Sequence, residues 1–266
     1  MKNQNFAIAY NPKIIHAKDV QMRLCSILDK HGIRANILDI DNLKSGFDFV
    51  FVIGGDGTIL KAARFYAKFQ TPVFGVNLGR LGFLSQSSED NLEISVEKIL
   101  CRKYIIQDRL MLACGNSCAL NDFVVKGSLC GRTSDFSLKI NGKVVCNYLA
   151  DGIIISTPTG STAYGLSAGG PVLAPNLEAF VIVPICPHTL NARPLVVPCS
   201  EEITICVPDE DSQYCIYADG QEFFEFNREI NIKKSSSNAK LALLEGSEFY
   251  SILNDKLHWG TSPAKI

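Results

Sequence analysis

The stretch Phe47-Asp48-Phe49-Val50-Phe51-Val52-Ile53-Gly54-Gly55-Asp56-Gly57-Thr58 carries the reading of the fold. An apolar run closed by glycines reads as a buried strand that ends abruptly. Glycines without Cβ atoms let backbone N–H groups approach an anion closely, and a following helix adds free N–H groups and the positive end of its dipole. The expected phosphate cradle is Gly54, Gly55, Gly57 and Thr58. Asp56 sits in the middle of it. A loop that only binds phosphate gains nothing from a carboxylate there. A phosphoryl-transfer site does, because some group must accept the proton of the attacking hydroxyl or orient a metal. The bland alternative is a turn residue whose side chain caps its own backbone. Two better-known phosphate loops are excluded: Leu60 stands where the dinucleotide fingerprint needs its third glycine, and no Gly-Lys-Ser/Thr triplet follows for a Walker loop.

Outward from this loop, the first hundred or so residues alternate strand and helix. Phe6–Tyr10, Ile33–Ile40, Phe47–Ile53 and Pro72–Val76 read as strands, and 16–30 and 58–68 as helices, the first with Val20, Leu24, Ile27 and Leu28 on one face. All-apolar strands separated by helices predict a parallel, Rossmann-like α/β sheet covered on both faces, with ligands beyond the carboxyl ends of the strands. After about Lys103 the texture changes. Phe136, Leu138 and Ile140 alternate with polar residues, and Asn141-Gly142 marks a hairpin before Lys143–Tyr148. Further short strands are expected at 153–156, 179–183, 202–207, 214–217 and 229–232. The division is therefore an α/β domain over 1–103 and a mostly antiparallel β domain over 104–266, with the tail from about 245 assignable to either.

The chain has 266 residues, 47% hydrophobic and 20% charged, the balance of a globular protein. A net charge of −1 gives no general pull toward nucleic acid or an anionic membrane, and no apolar run reaches the length of a membrane helix. The ten cysteines are scattered, with no Cys-x-x-Cys pair and no clustered histidines. That distribution reads as a reduced, cytoplasmic protein without structural metal or disulfide framework.

Two further segments follow strands. Asn77-Leu78-Gly79-Arg80-Leu81-Gly82-Phe83-Leu84 offers a tight crossing. Phe83 either presents a flat face to a base or tucks into the core, and taken alone the loop favours the second. The segment Asp151–Tyr164 runs from a strand into Ser156-Thr157-Pro158-Thr159-Gly160-Ser161-Thr162 and then an expected helix start, followed by Ser167 and Gly169-Gly170-Pro171. Hydroxyls at a helix N-terminus suit polar ligand groups, and Tyr164 suits stacking on a ring. N-capping by Thr159 or Ser161 explains one hydroxyl, not five. His188 and Arg193 form a third cluster, in which His188 reads as structural.

In this order, the motifs resemble the NAD kinase family: Gly54–Gly57, Asn77–Leu84, Asn121-Asp122, Asp151–Tyr164 with Ser167–Pro171, Pro187–Pro194, and Asp219-Gly220-Gln221. The resemblance spans about residues 6–225. The loop at Gly54–Gly57 is shared with lipid kinases and phosphofructokinases, whereas its combination with the run Ser156–Tyr164 is specific. It implies an α/β domain, a β-sandwich-like domain and assembly into homodimers or homotetramers. The implied reaction moves a phosphoryl group from ATP, in some members also from inorganic polyphosphate, to the 2′-hydroxyl of the adenosine ribose of NAD, giving NADP, with Mg²⁺ accompanying the donor. By position, Asp56 corresponds to the catalytic acid-base residue. The implied NAD contacts are Asp56, Gly57, Lys61, Phe83, Asn121, Asp122, Arg132, Asp151, Thr162, Ala163, Tyr164, Ser167 and Gln221. Two departures from the family pattern stand out: Asp122 replaces the usual glutamate and is one methylene shorter, and Leu149 replaces a basic residue, which bears on affinity more than on activity. The competing readings are a lipid kinase with the same loop, which calls for an exposed apolar or basic membrane-facing segment, and a non-catalytic NADP sensor, which calls for loss of the carboxylate at 56.

Overall fold

In the computed structural model, which describes residues 4–79, 82–127, 133–207, 214–246 and 249–257, the chain divides into two compact units. Residues 1–107 and 240–266 form the first, and 108–239 the second.

The first unit runs β1 (Phe6–Tyr10), α1 (Ile15–Lys30), β2 (Asn36–Asp39), β3 (Phe49–Ile53), α2 (Asp56–Ala67), β4 (Val73–Asn77), β5 (Ser85–Ser88), α3 (Leu92–Leu100) and β6 (Tyr104–Arg109). Its sheet has the order β2-β1-β3-β4, with β5 paired beside β4, and every pair from β2 through β5 is parallel. All five residues of β3, and all five of β4, are buried, as expected for strands covered on both faces. Period-2 alternation then sorts the side chains. Phe6, Ile8, Phe49, Phe51, Ile53, Phe74 and Val76 face α1 and α3, meeting Val20, Leu24, Ile27 and Leu28 of α1 and Val96 and Ile99 of α3. On the opposite face Gly75 lies against Ile59 of α2; a Cβ at 75 would stand 2.5 Å from the Ile59 side chain. Edge-to-face contacts link Phe6 to Phe49 and Phe51 to Phe74.

The second unit carries β7 (Leu112–Cys114), β8 (Ser117–Ala119), β9 (Asp122–Gly127), β10 (Ser134–Ile140), β11 (Lys143–Ala150), β12 (Gly152–Ser156), a 3₁₀ turn at Gly160–Thr162, the single turn α4 (Tyr164–Ser167), β13 (Ala179–Ile185), β14 (Leu195–Pro198), β15 (Ile203–Cys206), β16 (Tyr214–Ala218), β17 (Glu222–Phe226) and β18 (Glu229–Lys234). These strands build two sheets, β11-β10-β15-β18-β7-β8 and β14-β13-β12-β9-β16-β17. Side chains of both enter one core, including Leu112, Phe136, Leu138, Ile203 and Ile232 from one sheet and Phe123, Val125, Ile153, Ile155, Phe180 and Ile216 from the other. That is a β-sandwich. The Asn141-Gly142 hairpin has positive φ at both turn residues, the geometry that matches the twist of its strands.

After β18 the chain returns to the first unit through β19 (Ala239–Leu244), which lies between β4 and β6 in the first sheet, and α5 (Phe249–Leu257). The units thus divide at 107/108 and the chain re-enters at 240, rather than at 103/104 and about 245. Both shifts have one cause: Tyr104–Arg109 and Ala239–Leu244 are strands of the first sheet, and pairing across so large a sequence separation leaves no local signal. The strand expected over 33–40 is confined to Asn36–Asp39. Among the described residues no helix is long and apolar enough to cross a membrane.

Candidate active site

In the first unit the Gly54–Thr58 loop lies at the carboxyl end of β3. The helix expected to begin at Thr58 begins at Asp56, with Gly55 as its N-cap in an extended conformation and no side-chain cap. Asp56 is therefore the first helical residue rather than the middle of a loop, because Thr58 and Ile59 already donate their N–H groups to Gly55 O at 2.9 and 3.2 Å. The alternative in which Asp56 caps its own turn is not what forms. Its carboxylate reaches across to the segment after β4, where Oδ2 accepts the N–H of Phe83 at 2.8 Å and Oδ1 that of Leu84 at 3.3 Å. The same segment is fixed from behind. Gly82 N–H donates to Ser85 Oγ at 2.7 Å, and Asn77 Oδ1 accepts Gly79 N–H at 3.0 Å. Gly82 passes so close to Asp56 that a Cβ there would overlap the carboxylate. Phe83 is half-buried, neither fully exposed nor in the core. Lys61, one turn further along α2, is held at 2.7 Å by Asp41, which also meets Lys13 at 3.3 Å. The two lysines, Lys61 foremost, hold the Asp41 carboxyl below the usual carboxylate range.

In the second unit a hydrogen-bonded cluster is assembled from three distant segments. Asp219, in the turn after β16, accepts the N–H groups of Leu120 (2.9 Å), Asn121 (2.7 Å) and Asp122 (3.0 Å), and donates its own N–H to Asp122 O at 2.9 Å. Asn121 O accepts Thr157 N–H at 2.9 Å and Ser156 Oγ–H at 3.3 Å. Thr157 Oγ donates to Leu120 O at 2.5 Å and accepts Gly160 N–H at 3.1 Å.

Ser156, Thr157 and Ser161 are buried, and their hydroxyls, with that of the half-buried Thr162, donate to backbone carbonyls and so shape the turn. Ser161 Oγ also accepts Leu173 N–H at 2.9 Å. The helix expected here is only the single turn α4, without a side-chain cap, too short to offer a helix terminus to an anion. The reason is physical: a strand end buried between neighbours must satisfy its polar backbone atoms, and short hydroxyl side chains do so locally.

Of the other expected residues, Tyr164 is exposed, with Lys126 Nζ 5.5 Å from its ring centroid and 3.5 Å from its hydroxyl. Ser167 is exposed and Ala163 half-buried. Gln221 lies in the Asp219 turn, its N–H on Ala218 O. Asp151 is not brought to the cluster. It precedes β12 while Ser156 ends it, so the two lie at opposite ends of one strand, about 16 Å apart. Arg132 lies outside the described residues.

Asp122 is 4% exposed, and burial first, the Asp219 charge second, push its carboxyl up to about 7 from an ordinary 3.8. The folded protein then keeps a proton that the unfolded chain has released, over the window from about 4 to about 7. Stability from this group is fully present below that window and is lost as pH rises through it. Asp122→Asn, which cannot ionise, should therefore gain on the wild type between pH 4.5 and 7.5, at about 1.4 kcal/mol per pKa unit as an upper scale. Denaturant titrations at the two pH values check this, and a difference that does not change with pH would refute it. Arg109 is a second buried charge, 6% exposed, donating to Thr159 Oγ at 3.3 Å and lowered by burial to about 10, which leaves it protonated at neutral pH.

The chain matches the ATP-NAD kinase N-terminal domain over residues 35–104 and the ATP-NAD kinase C-terminal domain over 120–244. It is 41% identical over 240 residues to an NAD kinase of Caldanaerobacter subterraneus subsp. tengcongensis, covering 86% of this chain and 83% of that one. The chain belongs to the NAD kinase family. It is accordingly an enzyme, a kinase that phosphorylates NAD to NADP. An NAD kinase of Pseudomonas fluorescens is 40% identical over 250 residues, 90% of this chain and 84% of that one. The crystal structure of an Archaeoglobus fulgidus NAD kinase in complex with ATP superposes with a TM-score of 0.81 at 30% identity, covering 96% of this chain and 98% of that one. Yeast NADH kinase complexed with NADH shares the fold, with a TM-score of 0.85 at 24% identity.

Sequence reasoning missed Gly82, Asp41, Arg109 and the carboxylate of Asp219 as parts of this NAD kinase framework. Gly82 and Asp219 lay inside quoted motifs, but nothing local revealed which atoms they meet. Lys126 carried no signal either.

Proposed function

We propose that Asp56 is the acid-base residue of the reaction, taking the proton of the 2′-hydroxyl of the adenosine ribose of NAD as the γ-phosphoryl group of ATP is transferred. The observation that carries this reading is the Asp56 carboxylate, fixed by the Phe83 and Leu84 N–H groups at the head of α2, beside exposed Gly55 and Gly57. A ribose hydroxyl is a weak nucleophile, and a positioned carboxylate that takes its proton contributes about 10²–10⁴-fold. Gly54, Gly55, Gly57 and Thr58 serve the phosphates, where the first N–H groups and dipole of α2 favour negative charge. Gly57, Lys61 and Phe83 in the first unit, and Asn121, Asp122, Arg132, Asp151, Thr162, Ala163, Tyr164, Ser167 and Gln221 in the second, are assigned to NAD. Lys61 keeps two N–H donors beyond its bond to Asp41.

A magnesium ion fits as a companion of the donor. Among the described residues no group of three His, Cys, Asp or Glu side chains is placed to hold a metal, whereas Mg²⁺ bound with a nucleotide takes most of its ligands from phosphate and water. Asp56 is the carboxylate in reach of the cradle, and each of its oxygens keeps a lone pair beyond the N–H bond it accepts. When bound, the ion would neutralise charge on the transferring phosphoryl group. The cytoplasm is the proposed compartment, and the free thiols of the described cysteines support it. The net charge of −1 supports small-molecule substrates rather than nucleic acid or membrane, and we assign the protein to homodimers or homotetramers on the family pattern.

The test is NADP formation from NAD with Mg²⁺ and either ATP or polyphosphate. Product with ATP is expected, and the polyphosphate arm decides whether the donor range is wider. No product from folded protein with either donor would remove this reading.

A further inference from the structure

We propose that Asp219 is a positioning residue for the dinucleotide: its carboxylate holds Asn121 and Asp122 in the orientation that NAD binding requires. Three consecutive N–H groups converge on this one side chain, at 2.9, 2.7 and 3.0 Å from Leu120, Asn121 and Asp122. In a regular strand successive N–H groups point to opposite sides, so three on one acceptor require the chain to curl into a concave nest. Such nests ordinarily take an external anion. Here the protein fills its own, with a group nearly a hundred residues further along the chain.

The curl has consequences on both sides. Asn121 O is turned toward Thr157 N–H and Ser156 Oγ, so the segment 120–122 anchors the end of β12. Gly160 N–H, through Thr157 Oγ, ties the following turn to the same point. Gly160 itself passes directly over the Asn121 backbone. Asp219 thus sets the place of two residues assigned to NAD and of the turn leading to Thr162, Ala163 and Tyr164. Its charge also adds to the upward push that burial gives the Asp122 carboxyl. Across the ladder Asp122 faces Ser156 of β12; on its other side Ala218 of β16 pairs with Phe123, and the next residue, Asp219, stands at Asp122 with its N–H on Asp122 O and is the charged group of these.

The inference rests on the function proposed above, and wild-type NADP formation measured alongside separates the two. The experiment compares steady-state kinetics of the wild type, Asp219→Asn and Asp219→Ala, with KM for NAD and KM for ATP determined independently and folded protein quantified by thermal melting. Asp219→Asn keeps the shape but loses the charge and presents N–H to N–H at one of its two ends. The expected result is a KM for NAD raised about 10- to 100-fold in both variants, with KM for ATP within about twofold of wild type. In Asp219→Asn the limb of the NAD kcat/KM profile that belongs to Asp122 should also move to lower pH, because the repelling charge is gone. A purely structural role would lower the melting temperature and the active fraction while leaving KM for NAD and that limb in place; this outcome overturns the proposal. An equal rise in both KM values overturns it too. If neither variant folds, the wild type decides: NAD should shift the ¹⁵N–¹H signals of Leu120, Asn121 and Asp122, and unmoved signals overturn the assignment. A folded wild type that makes no NADP removes the underlying reading and this one with it.

Discussion

Asp56→Asn should lose turnover by about two orders of magnitude or more while melting close to the wild type and binding NAD with little change. The asparagine is isosteric and keeps one acceptor oxygen, so one of the two backbone bonds, to Phe83 or Leu84, survives. The other N–H is left facing an amide NH₂. Because the segment is half-buried and also held by Gly82 N–H on Ser85 Oγ, that loss is on the order of 1 kcal/mol or less, too little to unfold the domain. The chemistry does not survive. An amide cannot take the proton of the ribose hydroxyl, and residual turnover must come from alignment and phosphate neutralisation alone. Single-turnover NADP formation, with NAD affinity from calorimetry on the same preparation, separates the two terms. Turnover within tenfold of wild type would end the role given to Asp56, and a collapse of NAD affinity would show that the residue acts mainly in binding.

What could be read from the sequence and what could not have the same physical divide. The parallel sheet was legible because Phe49–Ile53 and Val73–Asn77 are buried on both faces and therefore carry apolar residues without alternation. The Asn141-Gly142 hairpin was legible because positive φ at two successive residues restricts their identity. Asp56 was legible as a carboxylate out of place in a phosphate loop. Its fixing by Phe83 and Leu84 was not, since those N–H groups come from another strand end. The hydroxyl run shows the limit most clearly. Ser156, Thr157, Ser161 and Thr162 have the composition of a ligand-facing surface, yet their hydroxyls are turned to carbonyls. Composition states that polar atoms are present; only the packing states whether protein or ligand satisfies them. The return of Ala239–Leu244 to the first sheet belongs with these cases, because a short, mostly apolar segment interrupted by Lys240 fits either kind of sheet.

Gly82→Ala should abolish activity nearly as fully as Asp56→Asn, by about two orders of magnitude, without removing a reacting group. The new Cβ would overlap Oδ1 and Cγ of Asp56 and lie 2.5 Å from Oδ2. What it strikes is the end of a side chain, so the relief is local: the carboxylate swings away, forfeits the N–H groups of Phe83 and Leu84, and leaves the position from which it serves the hydroxyl. Stability should fall only modestly. Gly160→Ala gives the contrast. There the Cβ would meet the backbone of Asn121, including its Cα at 2.6 Å, and backbone moves only with its strand. About 1–3 kcal/mol of stability should be lost, the usual cost of forcing extra volume into a packed site. Melting temperatures and NADP formation measured on both variants distinguish a displaced carboxylate from a displaced strand. The double variant makes the test stringent. If Gly82 acts only by keeping Asp56 in place, Gly82→Ala in the Asp56→Asn background should cost little beyond Asp56→Asn alone, since the function it protects is already gone. Full additivity of the two losses would mean that Gly82 matters for some other reason, such as approach of the ligand to its backbone, and the account of the carboxylate would have to be redrawn.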